Sequence, residues 1–299
     1  METLTAAAQS VEQTYIGKPV SRVDGFAKVT GQARYAGEYN FPGLLHGVVI
    51  SSPIARGKIM SIDTSKALSI EGVKQVYSHE NVKGLPWFSI SYKDMNMLPG
   101  KPFRPFYSNE IQFSQQPIAL VIAVSLEVAR YAASFVDIEY ETTEFDTNLE
   151  ENLHNGFRPK RGKSGFKKPK SRGNAGKALK KAHATVWADY FHGAEHHNPM
   201  ELFASTVVPE PDGAVTIYDK TQGVLNSQSY VARVFDIKHK KVHLQSLFVG
   251  GGFGSGLRPQ YQLFMATLAA LDLKQPVRVT LTLQQMFSFA ASYTTYGDF

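Results

Sequence analysis

Five glycines fall within seven positions, Gly250 to Gly256, with Phe253 among them. Glycine loses more backbone entropy on folding than other residues. Such a cluster is therefore expected where the chain turns left-handed or presses its backbone against something. Alternating apolar residues before it, Lys241 to Phe248, read as a strand. The stretch after it, Arg258 to Leu271, reads as a helix with Pro259 in its first turn. A strand, a glycine loop and a helix start leave backbone N–H groups free to hold an anion. The loop misses the dinucleotide pattern, because Leu257 stands where the last glycine belongs and no acidic residue follows about 20 positions on. It has the glycine spacing of a P-loop, but Leu257 replaces the lysine. A nucleotide is thus disfavoured, and a tight turn without ligand stays open.

Other chemistry is sparse. His196, His197 and Glu201 form the densest polar cluster, yet adjacent histidines on a strand face opposite ways and no second ligand pair has helical spacing. Structural or supporting histidines are expected there, and no metal held by side chains. With no cysteine, the chain offers no thiolate nucleophile, disulfide or cysteine-ligated cluster. Ser255 lacks the downstream glycine of a nucleophile elbow. His46 lies among apolar residues and reads as packed, His79 beside Glu80 as a surface pair, and Asp137 with Glu139 as the solvent side of a strand. Gln222 sits at a strand-to-helix corner, where an amide can reach into a cleft. No general base can be named.

The elements that position these residues follow from periodicity. Strands are expected at Leu44–Ile50, Lys58–Ile62, Val73–Tyr77, Pro117–Val124 and Val136–Tyr140, with a long loop over 84–110. The apolar run Pro117–Val124 is of the kind a strand covered on both faces shows. Ser125 is the expected N-cap of a helix over Leu126–Phe135. Later, Ala204–Pro209 and Ala214–Tyr218 flank an Asp212-Gly213 turn, a helix runs over Leu225–Phe235, and Val277–Thr282 is the last clear strand. The fold class is α+β, divided into a tail (1–14), a first domain (15–148), a basic linker (149–176) and a second domain (177–299).

The net charge of +6 is local in origin. Eleven of the 32 Lys and Arg lie between Arg158 and Lys181 without any Asp or Glu, leaving 21 positive against 26 negative charges elsewhere. Nucleic-acid binding would rest on that insert alone, where only Phe157 and Phe166 offer stacking, so it is not expected. No apolar run is long enough to span a membrane, and the first residues lack the basic start of a secretory signal, which favours a cytoplasmic protein.

Several stretches taken together resemble the molybdenum-binding large subunit of the xanthine dehydrogenase/aldehyde oxidase family. They are Arg22–Gly37, Gln116–Ala123, His196–Glu201, Thr221–Gly223 and Gly250–Gly254, in the family's order. The resemblance implies an α/β hammerhead domain followed by the first part of a molybdopterin-binding α+β domain. It implies a molybdenum–molybdopterin cofactor, with a cytosine dinucleotide form as one option, held by its own dithiolene. Gln222, Gly251, Gly252, Phe253 and Gly254 are the implied cofactor contacts, with Gln222 bonding an oxygen ligand of the metal. The implied reaction inserts a water-derived oxygen into a C–H bond of an aldehyde or N-heterocycle. Electrons then pass to iron–sulfur and flavin centres on other subunits. Where xanthine-type members carry a substrate-binding glutamate, this chain has Leu257, which favours an uncharged substrate. The family's catalytic glutamate lies beyond Phe299. The expectation is a truncated or frameshifted reading frame, or one piece of a split subunit, inactive alone and needing the remainder of the large subunit or a downstream chain. Such a piece is expected to expose apolar strands such as Val277–Leu281. The alternative is a non-catalytic module that binds an acidic protein or nucleic acid through residues 158–181.

Overall fold

The computed structural model describes residues 16–94, 102–157, 170, 172–289 and 295–298. Most of the basic insert, the first 15 residues and 290–294 lie outside the described residues, as do the expectations attached to them. Two compact units divide at Arg34 and Tyr35. In the first, a short helix α1 (Gly25–Val29) follows Asp24, which pairs with Arg22 and, at 3.2 Å, with Lys28.

The second unit carries strands β1 (Leu45–Ser51), β2 (Gly57–Asp63), β3 (Val73–Ser78), β4 (Glu110–Ile111), β5 (Pro117–Ala123) and β6 (Asp137–Thr142). Then come β7 (Asp189–His192), β8 (Ala204–Pro209), β9 (Val215–Asp219), β10 (Val242–Gln245), β11 (Val277–Thr280) and β12 (Thr295–Asp298). Its helices are α2 (Ser65–Ser69), α3 (Leu126–Ala133), α4 (Ala175–Lys180), α5 (Val224–Val234), α6 (Tyr261–Leu273) and α7 (Leu283–Phe289).

Seven strands form one mixed sheet in the order β10-β9-β8-β11-β1-β5-β3. The join between early and late sequence is the parallel pair β1–β11, Leu45 beside Val277. Strands from both sides of residues 149–176 therefore share one hydrophobic core. Next to the edge strand β3, β5 is buried along its whole length. Its Leu120 and Ile122 enter the main core, while Val121 packs on the other face with Ala67 and Ala132. That two-sided burial is why the strand reads as an unbroken apolar run. Ser125 caps α3 by accepting the Val128 N–H at 3.2 Å. A three-stranded sheet, β4-β2-β6, packs beside the first through Ile59, Ile111 and Ile118.

Helix α6 is buried on nearly every side against β8 and β11. A helix apolar all round belongs in a core. It begins later than the sequence suggests: Gln260 is the N-cap, and Pro259 lies outside the first turn. Proline disfavours the helical region for the residue before it, which keeps Arg258 out of the helix. The expectation of exposed apolar residues at Val277–Leu281 also fails. Strand β11 lies between β8 and β1, and Val277, Val279 and Leu281 are fully buried. Within 84–110 the chain adds a 3-10 turn, Ser89–Tyr92, and strand β4. His79 does not stand free at the surface beside Glu80: it is half-buried, its Nδ1 lacks a partner, and burial lowers its pKa.

Candidate functional site

The site grows from the C-terminal end of β9. Alternation along the strand sends Val215, Ile217 and Asp219 into the core, and the chain then turns through Lys220, Thr221, Gln222 and Gly223 into α5. The Thr221 hydroxyl locks this corner: it accepts the Gly223 N–H at 3.0 Å, lies 3.1 Å from the Ser227 hydroxyl and donates to Gly256 O at 3.1 Å. The Gln222 N–H donates to the same Gly256 carbonyl at 2.8 Å, and Asn226 Nδ2 donates to Leu257 O at 3.2 Å. The corner is thereby stitched to the far end of the glycine loop.

The loop itself presses against Gln222. A Cβ on Gly252 would lie 2.4 Å from the Gln222 amide carbon and nitrogen, and one on Gly223 would lie 2.9 Å from Leu257 O. At Gly223 a backbone carbonyl stands too close for a side chain, and at Gly252 the Gln222 amide occupies the place a Cβ would take. Gly256 N–H donates to Gln222 Oε1 at 3.1 Å, which fixes the amide orientation and turns Nε2 outward as a donor. No described residue accepts from that Nε2. Phe253 at φ +50° and Gly254 at φ +88° are consecutive left-handed residues, and the Phe253 ring is 69% exposed. The turn is closed by Ser255, whose N–H and hydroxyl donate to Gly252 O at 2.8 and 2.6 Å. Among the described residues, the N–H groups of Gly251, Gly252, Phe253 and Gly254 have no acceptor. Successive free N–H groups in such a turn make an anion-binding concavity. The half-exposed Leu257 closes the loop beside Gln222.

Glu201 braces the other end, its Oε2 accepting the Gly250 N–H at 2.7 Å. Burial raises the Glu201 pKa, opposed by that N–H, by nearby Lys220 and by the Ala36 backbone. Lys220 is itself buried, its Nζ without a hydrogen-bond partner and 4.0 Å from the Phe203 ring centroid. Its pKa is lowered by burial, against the pull of Glu201 and Asp219. On the core side, Asp219 accepts the Ser205 hydroxyl at 2.5 Å, and burial pushes its carboxyl up to about 6.

Gln222, Gly251, Gly252, Phe253, Gly254 and Leu257 are thus neighbours. The histidines lie apart in role: the exposed His196 ring packs edge-on to Phe287 at 5.1 Å. Among the described residues, no three His, Asp or Glu side chains are grouped to hold a metal. Sequence reasoning missed Lys220 and the link from Glu201 to the loop. The alternation that buries Val215 and Ile217 does place Asp219 inward, but nothing local says that Lys220 is buried.

The fold and this loop define a mixed α+β class whose glycine turn, beyond the end of a sheet strand, leaves successive backbone N–H groups open. Residues 30–144 match the aldehyde oxidase and xanthine dehydrogenase a/b hammerhead domain, and residues 157–296 match the molybdopterin cofactor-binding domain. The chain belongs to the xanthine dehydrogenase/aldehyde oxidase family. It is 31% identical over 271 residues to a probable xanthine dehydrogenase subunit of Bacillus subtilis, covering 89% of this chain and 35% of that one. It is 30% identical over 268 residues to the aldehyde oxidoreductase molybdenum-binding subunit PaoC of Escherichia coli, again covering 89% and 35%. The chain therefore spans about a third of the length of these relatives. In fold it is similar to the aldehyde oxidoreductase of Desulfovibrio gigas, with a TM-score of 0.72 at 24% identity over 89% of this chain and 30% of that one. Similarity to the CO dehydrogenase of Oligotropha carboxidovorans gives 0.70 at 20%, covering 94% and 36%.

Proposed function

We propose that the chain supplies one wall of a molybdenum–molybdopterin site in the large subunit of a hydroxylase. The carrying observation is the arc of acceptor-free N–H groups at Gly251–Gly254, set against a glutamine amide whose Nε2 is held as a donor. The donor set fits an anionic, oxygen-rich group: it offers successive N–H donors, the Glu201 carboxylate is taken up by Gly250, and Phe253 alone within the arc carries a Cβ. Gln222 would direct Nε2 at an oxygen of the cofactor, and Gly251 to Gly254 would hold its anionic part. The bound cofactor would supply two-electron oxidation of a C–H bond, with water as the oxygen source.

This chain's own contribution is orientation. The Gly256 N–H keeps the Gln222 amide from flipping, and Phe253 offers an exposed aromatic face beside the arc. Leu257 supplies an apolar neighbour, favouring an aldehyde or another uncharged substrate over a purine. Residues 15–148 are read as the hammerhead domain, 149–176 as the linker and 177–299 as the first part of the cofactor domain. The rest of the site, including the catalytic base, is assigned to the remainder of the large subunit or a downstream chain. Iron–sulfur and flavin subunits take the electrons. The compartment is read as cytoplasmic, and the cytosine dinucleotide form of the cofactor as one option.

Dye-coupled oxidation by the assembled enzyme tests the reading. Turnover of an aldehyde with little turnover of a purine is expected. A preference for purine overturns the role of Leu257, and no oxidation of either class overturns the assignment.

A further inference from the structure

The geometry points to Glu201 and Lys220 as a positioning pair that holds the glycine arc in its ligand-ready form. This rests on the reading of that arc as a cofactor cradle. Gly250 is where the chain that follows β10 enters the arc, so its orientation sets where the next four N–H groups point. Glu201 fixes it twice: Oε2 accepts the Gly250 N–H at 2.7 Å, and a Cβ on Gly250 would lie 2.8 Å from Glu201 Cβ. Contact and hydrogen bond act at one residue, which leaves the loop entrance little freedom.

A carboxylate in a half-buried place needs a counter-charge to remain a strong acceptor. Lys220 supplies it. It is 1% exposed, and its Nζ makes no hydrogen bond that would explain a buried ammonium. Its surroundings are the Phe203 ring face at 4.0 Å and the charges of Glu201 and Asp219. An ammonium over an aromatic face is stabilised there without being drawn away to one acceptor. Glu38 opposes the pair as a like charge on Glu201, and the Ala36 backbone assists it. A buried lysine without an acceptor weakens the fold, and perturbed charges of this kind cluster at functional sites.

The test uses the full chain with 15N-labelled glycine, reading amide exchange at Gly250 by NMR, and compares the parent with Glu201→Gln and Lys220→Met. Glutamine keeps the shape of Glu201 and removes its charge. Exchange at Gly250 is expected to rise at least tenfold in Glu201→Gln and about threefold or more in Lys220→Met, with Gly47 in β1 unchanged as the fold control. A role in packing alone predicts Glu201→Gln equal to the parent. Should Glu201→Gln fail to fold, Lys220→Met carries the test. Unchanged Gly250 exchange in the folded variants overturns the pair, even in a chain that binds molybdenum. A tenfold effect in a chain that takes up no molybdenum, even when complemented, overturns the cofactor reading and leaves the pair standing.

Discussion

Replacing Gly252 by alanine is expected to cost little stability while displacing Gln222. The new Cβ would meet Gln222 Cδ and Nε2 at 2.4 Å and Oε1 at 2.7 Å, separations that cannot persist. What must move is the exposed end of a flexible side chain, with no backbone in the way. The direct loss is therefore the bond from Gly256 N–H to Gln222 Oε1, about 0.5–1.5 kcal/mol. For a unit of this size, each 1 kcal/mol lowers Tm by roughly 2–4 °C. The assay is thermal unfolding of four chains: the parent, Gly252→Ala, Gln222→Ala and the double variant. Because both single changes remove the same bond, the double variant is expected to be no less stable than the worse single one, a coupling of about 1 kcal/mol. A loss above about 3 kcal/mol for Gly252→Ala, or strict additivity, would refute the reasoning, since either would mean that the backbone moves.

Other substitutions separate the remaining forces. At Gly57, φ +151° and a Cβ 2.0 Å from the Glu141 carbonyl oxygen leave only backbone to yield, so Gly57→Ala is expected to lower stability by about 3 kcal/mol or more in denaturant titration. Ser125→Ala removes the cap of α3 and is expected to cost about 1 kcal/mol by the same measurement. Asp219 titrates near 6 when folded, above the ordinary carboxylate value of about 4. The folded chain holds this proton more tightly, so the contribution is full below pH 4 and is lost as pH rises through 6. Asp219→Asn is expected to be the more stable protein at pH 7.5, by about 1–3 kcal/mol, with the difference shrinking toward pH 4. Equal stability at both pH values would contradict the burial argument.

Much of the fold was legible because its signals are local. Alternation located β3, β6 and β10, an unbroken apolar run located β5, and an N-cap serine located the start of α3. The pairing of β1 with β11 was not legible, because it joins residues more than two hundred positions apart and no turn fixes their register. That long-range pairing is also why β11 is buried, where an incomplete second domain was expected to expose it. At the site, the glycines announced a close approach but not its object. Gln222 over Gly252 is a contact across the sheet end, visible only once β9 and the loop are placed. Lys220 was missed for a related reason: composition places lysine at the surface, and here it is buried with its Nζ over the Phe203 ring.

The most direct test of the central claim is co-purified molybdenum and pterin, measured on the chain co-produced with the remaining part of a large subunit. Metal analysis and the fluorescence of the oxidised pterin would be read for the parent and for Gly252→Ala. Near-stoichiometric molybdenum and pterin in the parent, falling at least tenfold in a folded Gly252→Ala chain, is the result predicted here. Equal loading of the two, or no molybdenum in the parent complex, would contradict it.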